Sequence, residues 1–170
     1  MKILFTFFLL IFSLQTAFSG DWKTYGSHLF SIDYQSDWEV MGSNYGAVVA
    51  MFTRPQANSA DRLFIENVNI VYQLIEDSID LKKSAHKSLQ EMHSLIDNLQ
   101  IFKNEYSKIG NLDAYIMQYS GKLMDMNLHW KQVFIQNGSS WFIITYTGMG
   151  ENFRTYESVA NRMINSFRTR

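Results

Sequence analysis

The sequence predicts an α+β fold: an antiparallel β-sheet of about six to seven strands covered by helices on both faces, an α/β/α sandwich. Three observations carry this expectation. Apolar residues alternate at period two through a series of short runs. In one mid-chain and one C-terminal segment the spacing lengthens to threes and fours, the mark of an amphipathic helix. The runs nearest the second helix are apolar on both faces, so each face needs a covering layer.

Taken in order, Leu29–Tyr34 (LFSIDY) sets Phe30, Ile32 and Tyr34 against polar neighbours, and Asp37–Val40 continues it irregularly to a break at Gly42-Ser43-Asn44. Ala47–Thr53 (AVVAMFT) reads as a second strand. Arg54–Arg62 holds the single Pro and reads as a polar surface loop. Phe64–Ile75 is a third strand, with Val68, Ile70, Tyr72 and Leu74 on one face. Across Ser78–Phe102 the residues Leu81, Ala85, Leu89, Met92, Ile96 and Leu99 form one stripe of a helix of about five or six turns. Ser78 or Asp80 is placed to cap its first turn.

Four strands follow the helix: Tyr106–Ile109, Ala114–Lys122, Asn127–Gln136 and Ser140–Thr147. Gly110-Asn111 separates the first two, and Asn137-Gly138 the last two. Asn-Gly is suited to a type I′ turn, whose two central residues both need positive φ. That role reads Asn137-Gly138-Ser139 as a turn and not as a glycosylation sequon. A second helix, Glu151–Phe167, carries Phe153, Tyr156, Ala160, Met163 and Phe167 on one stripe, with Arg162 and Arg168 at its negative pole. Trp130 and Phe134 oppose Val133 and Ile135, while Trp141 and Ile143 oppose Phe142, Ile144 and Tyr146. These are the strands that need cover above and below.

Residues 1–19 read as a signal peptide. Lys2 is the positive start, Ile3–Leu14 the apolar stretch, and Ala17 and Ser19 the small residues before a cut between Ser19 and Gly20. Residues 20–170 then form a single domain. The expected location is outside the cytoplasm, periplasmic or extracellular, without stable membrane insertion after cleavage. The chain has no Cys, which excludes disulfides, Cys-based metal sites and a thiol nucleophile. A formal net charge of −1 argues against nucleic acid as the main partner. With 46% hydrophobic residues, the chain has ample material for a core and is not disordered.

Several phrases resemble the PsbP-like superfamily, which includes the PsbP extrinsic subunit of photosystem II, DcrB-type exported bacterial proteins and a nuclear-import Ran-binding relative. They are Phe30-Ser31-Ile32-Asp33-Tyr34 with Trp38-Glu39-Val40, then Gln132-Val133-Phe134, Ile143-Ile144-Thr145-Tyr146-Thr147 and Tyr156 with Ser166-Phe167. The resemblance spans Leu29 to Phe167. It implies an antiparallel sheet between helices and binding or assembly roles without a shared active site. No functional residue is carried over from it.

Candidate chemistry is sparse. His86 and His93 share a helix face but stand two turns apart, about 10.5 Å, too far to ligate one ion directly. With Lys82, Gln90 and Asp97 on the same stripe, they read as a solvated polar face. A weak metal site would need His28 or His129 beside His93. Glu76, Asp77 and Asp80 cluster at the start of the helix, where they serve either acid–base chemistry or the helix dipole. GxSxG, HExxH, EF-hand and phosphate-loop patterns are absent from the sequence. No cofactor is expected. Trp22, Tyr25, Trp38 and Tyr45 fall outside the periodic runs, and they either form a contact patch for a protein partner or plug the sheet ends.

The leading expectation is an exported, non-catalytic protein-binding or assembly/stress accessory factor of the bacterial envelope. The alternatives are a small hydrolase using the acids near Glu76–Asp80, or His93, and a carrier of apolar ligands.

Overall fold

Period-two alternation drives most of this chain into strands, and two stripes of period 3.6 supply the helices that cover them. The structure, a computed structural model, describes residues 20–41, 46–55, 64–75 and 80–170. In chain order the elements are β1 (Trp22–Gly26), β2 (Phe30–Gln35), β3 (Glu39–Met41), β4 (Val48–Thr53), β5 (Asn67–Leu74), α1 (Leu81–His93), β6 (Asp97–Ile109), β7 (Leu112–Leu123), β8 (Met126–Asn137), β9 (Ser140–Met149), α2 (Glu151–Asn165) and β10 (Arg168–Thr169). Seven strands form an antiparallel sheet in the order β3-β4-β5-β9-β8-β7-β6, and β1-β2-β10 form a second, three-stranded sheet. The expected α+β class and strand number are both present.

The inward residues divide as the both-faces pattern requires. On one face, Leu81, Ala85 and Leu89 of α1 pack with Tyr115, Met117 and Tyr119 of β7 and Leu128, Trp130 and Phe134 of β8. On the other, Phe153, Val159, Ala160, Met163 and Ile164 of α2 pack with Ile116, Val133, Ile135, Phe142, Ile144 and Tyr146. Each fully buried side chain of this kind contributes about 1.5–3 kcal/mol through removal from water. Cover on the α2 side is not helical alone, however. Phe30 and Ile32 of β2 belong to the same cluster, so the small sheet shares that face with α2. Trp22 and Tyr25 are accordingly not in an irregular segment. They lie on β1, which pairs with β2 from Trp22↔Gln35 to Gly26↔Ser31.

The first helix is shorter than its stripe predicts. Asp80 caps it, accepting a hydrogen bond from Lys83 N at 3.0 Å, but it ends at His93, and Asp97–Phe102 is strand. Ile96 and Leu99 continue the helical spacing, yet Leu99 and Ile101 also fit period two. The arbiter is Asp97-Asn98: both are weak helix formers, and Asn98 adopts a left-handed φ of 53° at a bulge that starts β6. At the far end of β5, Leu74 does not share the burial of Val68 and Ile70; it is 72% exposed.

Turn chemistry also differs from expectation. Asn137 pairs with Ser140, so the turn residues are Gly138-Ser139, and only Gly138 has positive φ, at 58°. That is the pattern of a type II′ turn with Gly first, and Gly110-Asn111 repeats it with φ 59° at Gly110. The I′ pattern falls instead on Met124-Asp125, with φ of 48° and 67°, in a hairpin closed by Leu123↔Met126. Met gives no signal for this conformation and pays for its Cβ there. Met124 is 85% exposed, so nothing is lost by replacing it. Met124→Asn is expected to raise stability by about 1 kcal/mol, read as a higher urea midpoint at unchanged slope.

Candidate functional site

Among the grooves lined by the described residues, two bring a helix against the large sheet. The larger, of about 430 Å³, runs between α1 and strands β5 and β9. Ser84, Lys87, Ser88 and Glu91 of α1 form one wall, while Gln73, Trp141 and Ile143 provide the floor. The helix places Ser84 and Ser88 one turn apart on the same face, and their small side chains leave room above the indole. Trp141 stacks on Phe134 with centroids 6.4 Å apart. Its Nε1–H is buried and has no hydrogen-bond partner among the described residues. A buried donor left unpaired costs on the order of 1–3 kcal/mol, so an incoming acceptor gains by reaching it. Lys87 and Glu91, 4.0 Å apart and largely exposed, mark the rim.

The smaller groove, about 190 Å³, lies on the α2 side. Here β6, β8 and α2 converge on His129, which stacks on Phe102 at 6.1 Å and lies tilted against Phe153 at 5.3 Å. Gln118 of β7 donates to Glu157 of α2 at 2.8 Å, and Lys131 of β8 donates to Asn161 at 2.6 Å. These bonds fix the helix over the sheet beside the groove. Burial, then the Arg154 guanidinium, holds His129 below the ordinary imidazole value of 6.5.

The consequence for stability has a definite sign. Because the folded state favours neutral His129, the unfolded chain takes up this proton first as pH falls. The contribution is complete above about pH 6.5 and is lost as the pH falls from there through the lower folded-state value. Urea midpoints measured from about pH 7.5 down to about pH 5 are expected to fall more steeply in the native protein than in His129→Gln. Equal slopes would remove this role.

The residues singled out in the sequence are scattered. His86 turns toward the sheet, with Nε2 3.4 Å from Tyr115 Oη, whereas His93 is exposed in the last turn of α1. His129 faces α2 on the opposite side of the sheet, and His28 is exposed ahead of β2. Among the described residues, no group of three His, Asp or Glu could hold a metal ion. Asp80 is occupied as the α1 cap, while Glu76 and Asp77 lie outside the described residues. Trp38 is only 4% exposed and meets Tyr156 edge-on at 6.5 Å. Trp22 lies 4.0 Å beneath the Arg162 guanidinium, and Tyr25 packs on Phe30 and Phe52. These three rings face the core. Tyr45 lies outside the described residues. Both grooves went unread in the sequence, since each is assembled from elements far apart in the chain and no local spacing announces them.

The family model for PsbP-like protein matches residues 13–169. The chain belongs to the PsbP-like family. Among solved structures, the cyanobacterial PsbP (CyanoP) of Synechocystis sp. PCC 6803 is similar at 13% identity, covering 88% of this chain and 92% of its own, with a TM-score of 0.65. LpqN of Mycobacterium tuberculosis, involved in cell envelope biogenesis, matches at 13% identity over 88% and 90%, with a TM-score of 0.64. The Ran-binding protein Mog1p of Saccharomyces cerevisiae matches at 8% over 88% and 96%, with a TM-score of 0.61. At such identities these likenesses establish the PsbP-like fold. No protein of curated function matches by sequence. No helix among the described residues is long and apolar enough to cross a membrane.

Proposed function

We propose that this PsbP-like chain is an exported, non-catalytic accessory factor of the bacterial envelope, periplasmic or extracellular, cleaved between Ser19 and Gly20. It acts by binding a protein partner during assembly or stress. Membership of a family whose members work without a shared active site supports the reading, as does the likeness to LpqN of envelope biogenesis. The observation that carries it is the buried indole N–H of Trp141, without a hydrogen-bond partner among the described residues, in the floor of the α1/β9 groove. A floor of Gln73, Trp141 and Ile143, walled by Ser84 and Ser88, suits a partner segment that offers a carbonyl to the Trp141 indole and an apolar side chain to Ile143.

The test is site-specific photocrosslinking in native envelope, with the reactive group at Ser88 and a control at Lys82, which is not among the groove-lining residues. One partner captured from Ser88, not from Lys82, and lost on Trp141→Ala is the expected result. Capture of nothing from the groove, combined with a reproducible hydrolytic activity of the purified protein, would overturn it.

A further inference from the structure

The outer edge of β6 is the longest free strand edge among the described residues, and its chemistry is self-complementary. β6 is thirteen residues long and ends the seven-stranded sheet; the strand at the opposite edge, β3, has three. Ile101, Phe102 and Tyr106 are 46%, 61% and 62% exposed along it. Ile109↔Leu112 closes a two-residue hairpin, so ladder bonding to β7 falls on Ile109, Ser107, Glu105 and Lys103. Asn104, Tyr106 and Lys108 therefore turn their backbone N–H and C=O groups outward, away from the sheet.

We propose that β6 pairs antiparallel with β6 of a second copy about a two-fold axis at Asn104. In that register Asn104 bonds to Asn104 of the second copy, and the flanking position sets Lys103 directly across from Glu105. The contact occurs twice, by symmetry, at non-hydrogen-bonded positions where facing side chains come closest. Lys103 and Glu105 already lie on one face, 2.8 Å apart and about half exposed, so the dimer joins two such pairs into an alternating square of four charges. Moving the axis by one residue is unfavourable in both directions, because it sets Lys103 against Lys103 or Glu105 against Glu105. An axis at Tyr106 places no opposite charges across the seam. Position 102 marks the end of the seam: Phe102 turns to His129 on the α2 face, whereas Tyr106 lies against Tyr115 on the α1 face. A bulge between Ile101 and Lys103 bends the strand at this point, which limits the seam to one closed pair. No residue lining the α1/β9 groove lies on β6, so the two surfaces are independent.

Sedimentation of the purified protein is expected to show a dimer at tens of micromolar concentration, on the order of a transient interface. Lys103→Glu and Glu105→Lys should each weaken dimerisation by about tenfold, by opposing like charges at both contacts. The double variant Lys103→Glu/Glu105→Lys should restore it. The chain has no cysteine, so Asn104→Cys supplies one defined thiol per copy and should oxidise to a disulfide dimer far faster than Tyr106→Cys. A protein that stays monomeric at roughly 200 µM, well above that range, would overturn the proposal. So would single charge variants that dimerise as well as the native chain, a double variant that fails to recover, or faster crosslinking at Tyr106→Cys.

Discussion

Arg54→Ala is expected to destabilise the fold by about 3–5 kcal/mol, a large share of the 5–15 kcal/mol typical of a domain. Arg54 Nε lies 3.0 Å from Glu66 Oε2, with the two side chains 8% and 0% exposed. Backbone N–H of Arg54 donates to the Glu66 carbonyl at 3.0 Å, so the same two residues close the end of the β4–β5 pair. Removing the guanidinium leaves a carboxylate with no water around it, and Glu66 Oε1 already has no partner among the described residues. The guanidinium also covers the Tyr156 ring at 4.8 Å, contact that Ala cannot replace. Nearby, Tyr146 donates its hydroxyl to the Phe153 carbonyl at 2.9 Å, and burial followed by the Glu66 charge keeps that proton in place by raising the phenol. Tyr146 thus sits beneath the first turn of α2, where Gly148 allows a close approach. A Cβ there would stand 2.9 Å from Phe153 Cα. Thermal unfolding of Arg54→Ala should drop by roughly 10 °C. The double change Arg54→Met/Glu66→Met is expected to recover most of the loss, because apolar groups of similar volume replace a buried pair at little cost. A single variant within about 1 kcal/mol of the native protein would show that the carboxylate finds solvent.

Legibility in the sequence followed how local each determinant is. β8 and β9 were readable because alternation on both faces admits one interpretation: Trp130 and Phe134 look to α1, Val133 and Ile135 to α2. The α1 stripe was readable at its start, where Asp80 caps it, and misleading at its end. There, spacings of three and four and of two coincide through Leu99, and one left-handed Asn decides between them. Asn-Gly marked the right hairpin and the wrong turn type, since pairing of Asn137 with Ser140 moves the turn by one residue. Met124-Asp125 carries no turn signal, and its geometry is imposed by the strands it joins. β1 and β10 are short, and their membership of a sheet depends on β2 lying between them. The same limit applies to the grooves: Trp141 and Ser88, or His129 and Arg154, become neighbours only after the sheet order is set. A stripe or an alternation tells which face is buried, but not which distant element covers it.

Phe167→Ala is expected to cost about 3–5 kcal/mol, and Phe167→Leu much less. The ring is fully buried, stacked on Phe30 at 5.5 Å and edge-on to Phe142 at 5.1 Å, while Phe30 meets Phe142 at 6.2 Å. Those three rings belong to the turn after α2, to β2 and to β9, so one aromatic triangle joins the C-terminus and both sheets. β10 follows immediately and is held to β2 by Arg168↔Ser31 and Thr169↔Phe30, with Arg170 N donating to Leu29 O at 3.0 Å. A two-residue strand cannot hold this position by its ladder alone. Its register depends on the ring beside it, and the small sheet depends in turn on that register to cover the α2 face. The loss should therefore be unevenly distributed. Amide exchange in β1 and β2 should accelerate in Phe167→Ala well beyond that in β8 and β9, which keep α1 and their own ladders. Uniform acceleration across both sheets would mean that the aromatic triangle is part of one cooperative core, and that the small sheet does not open separately.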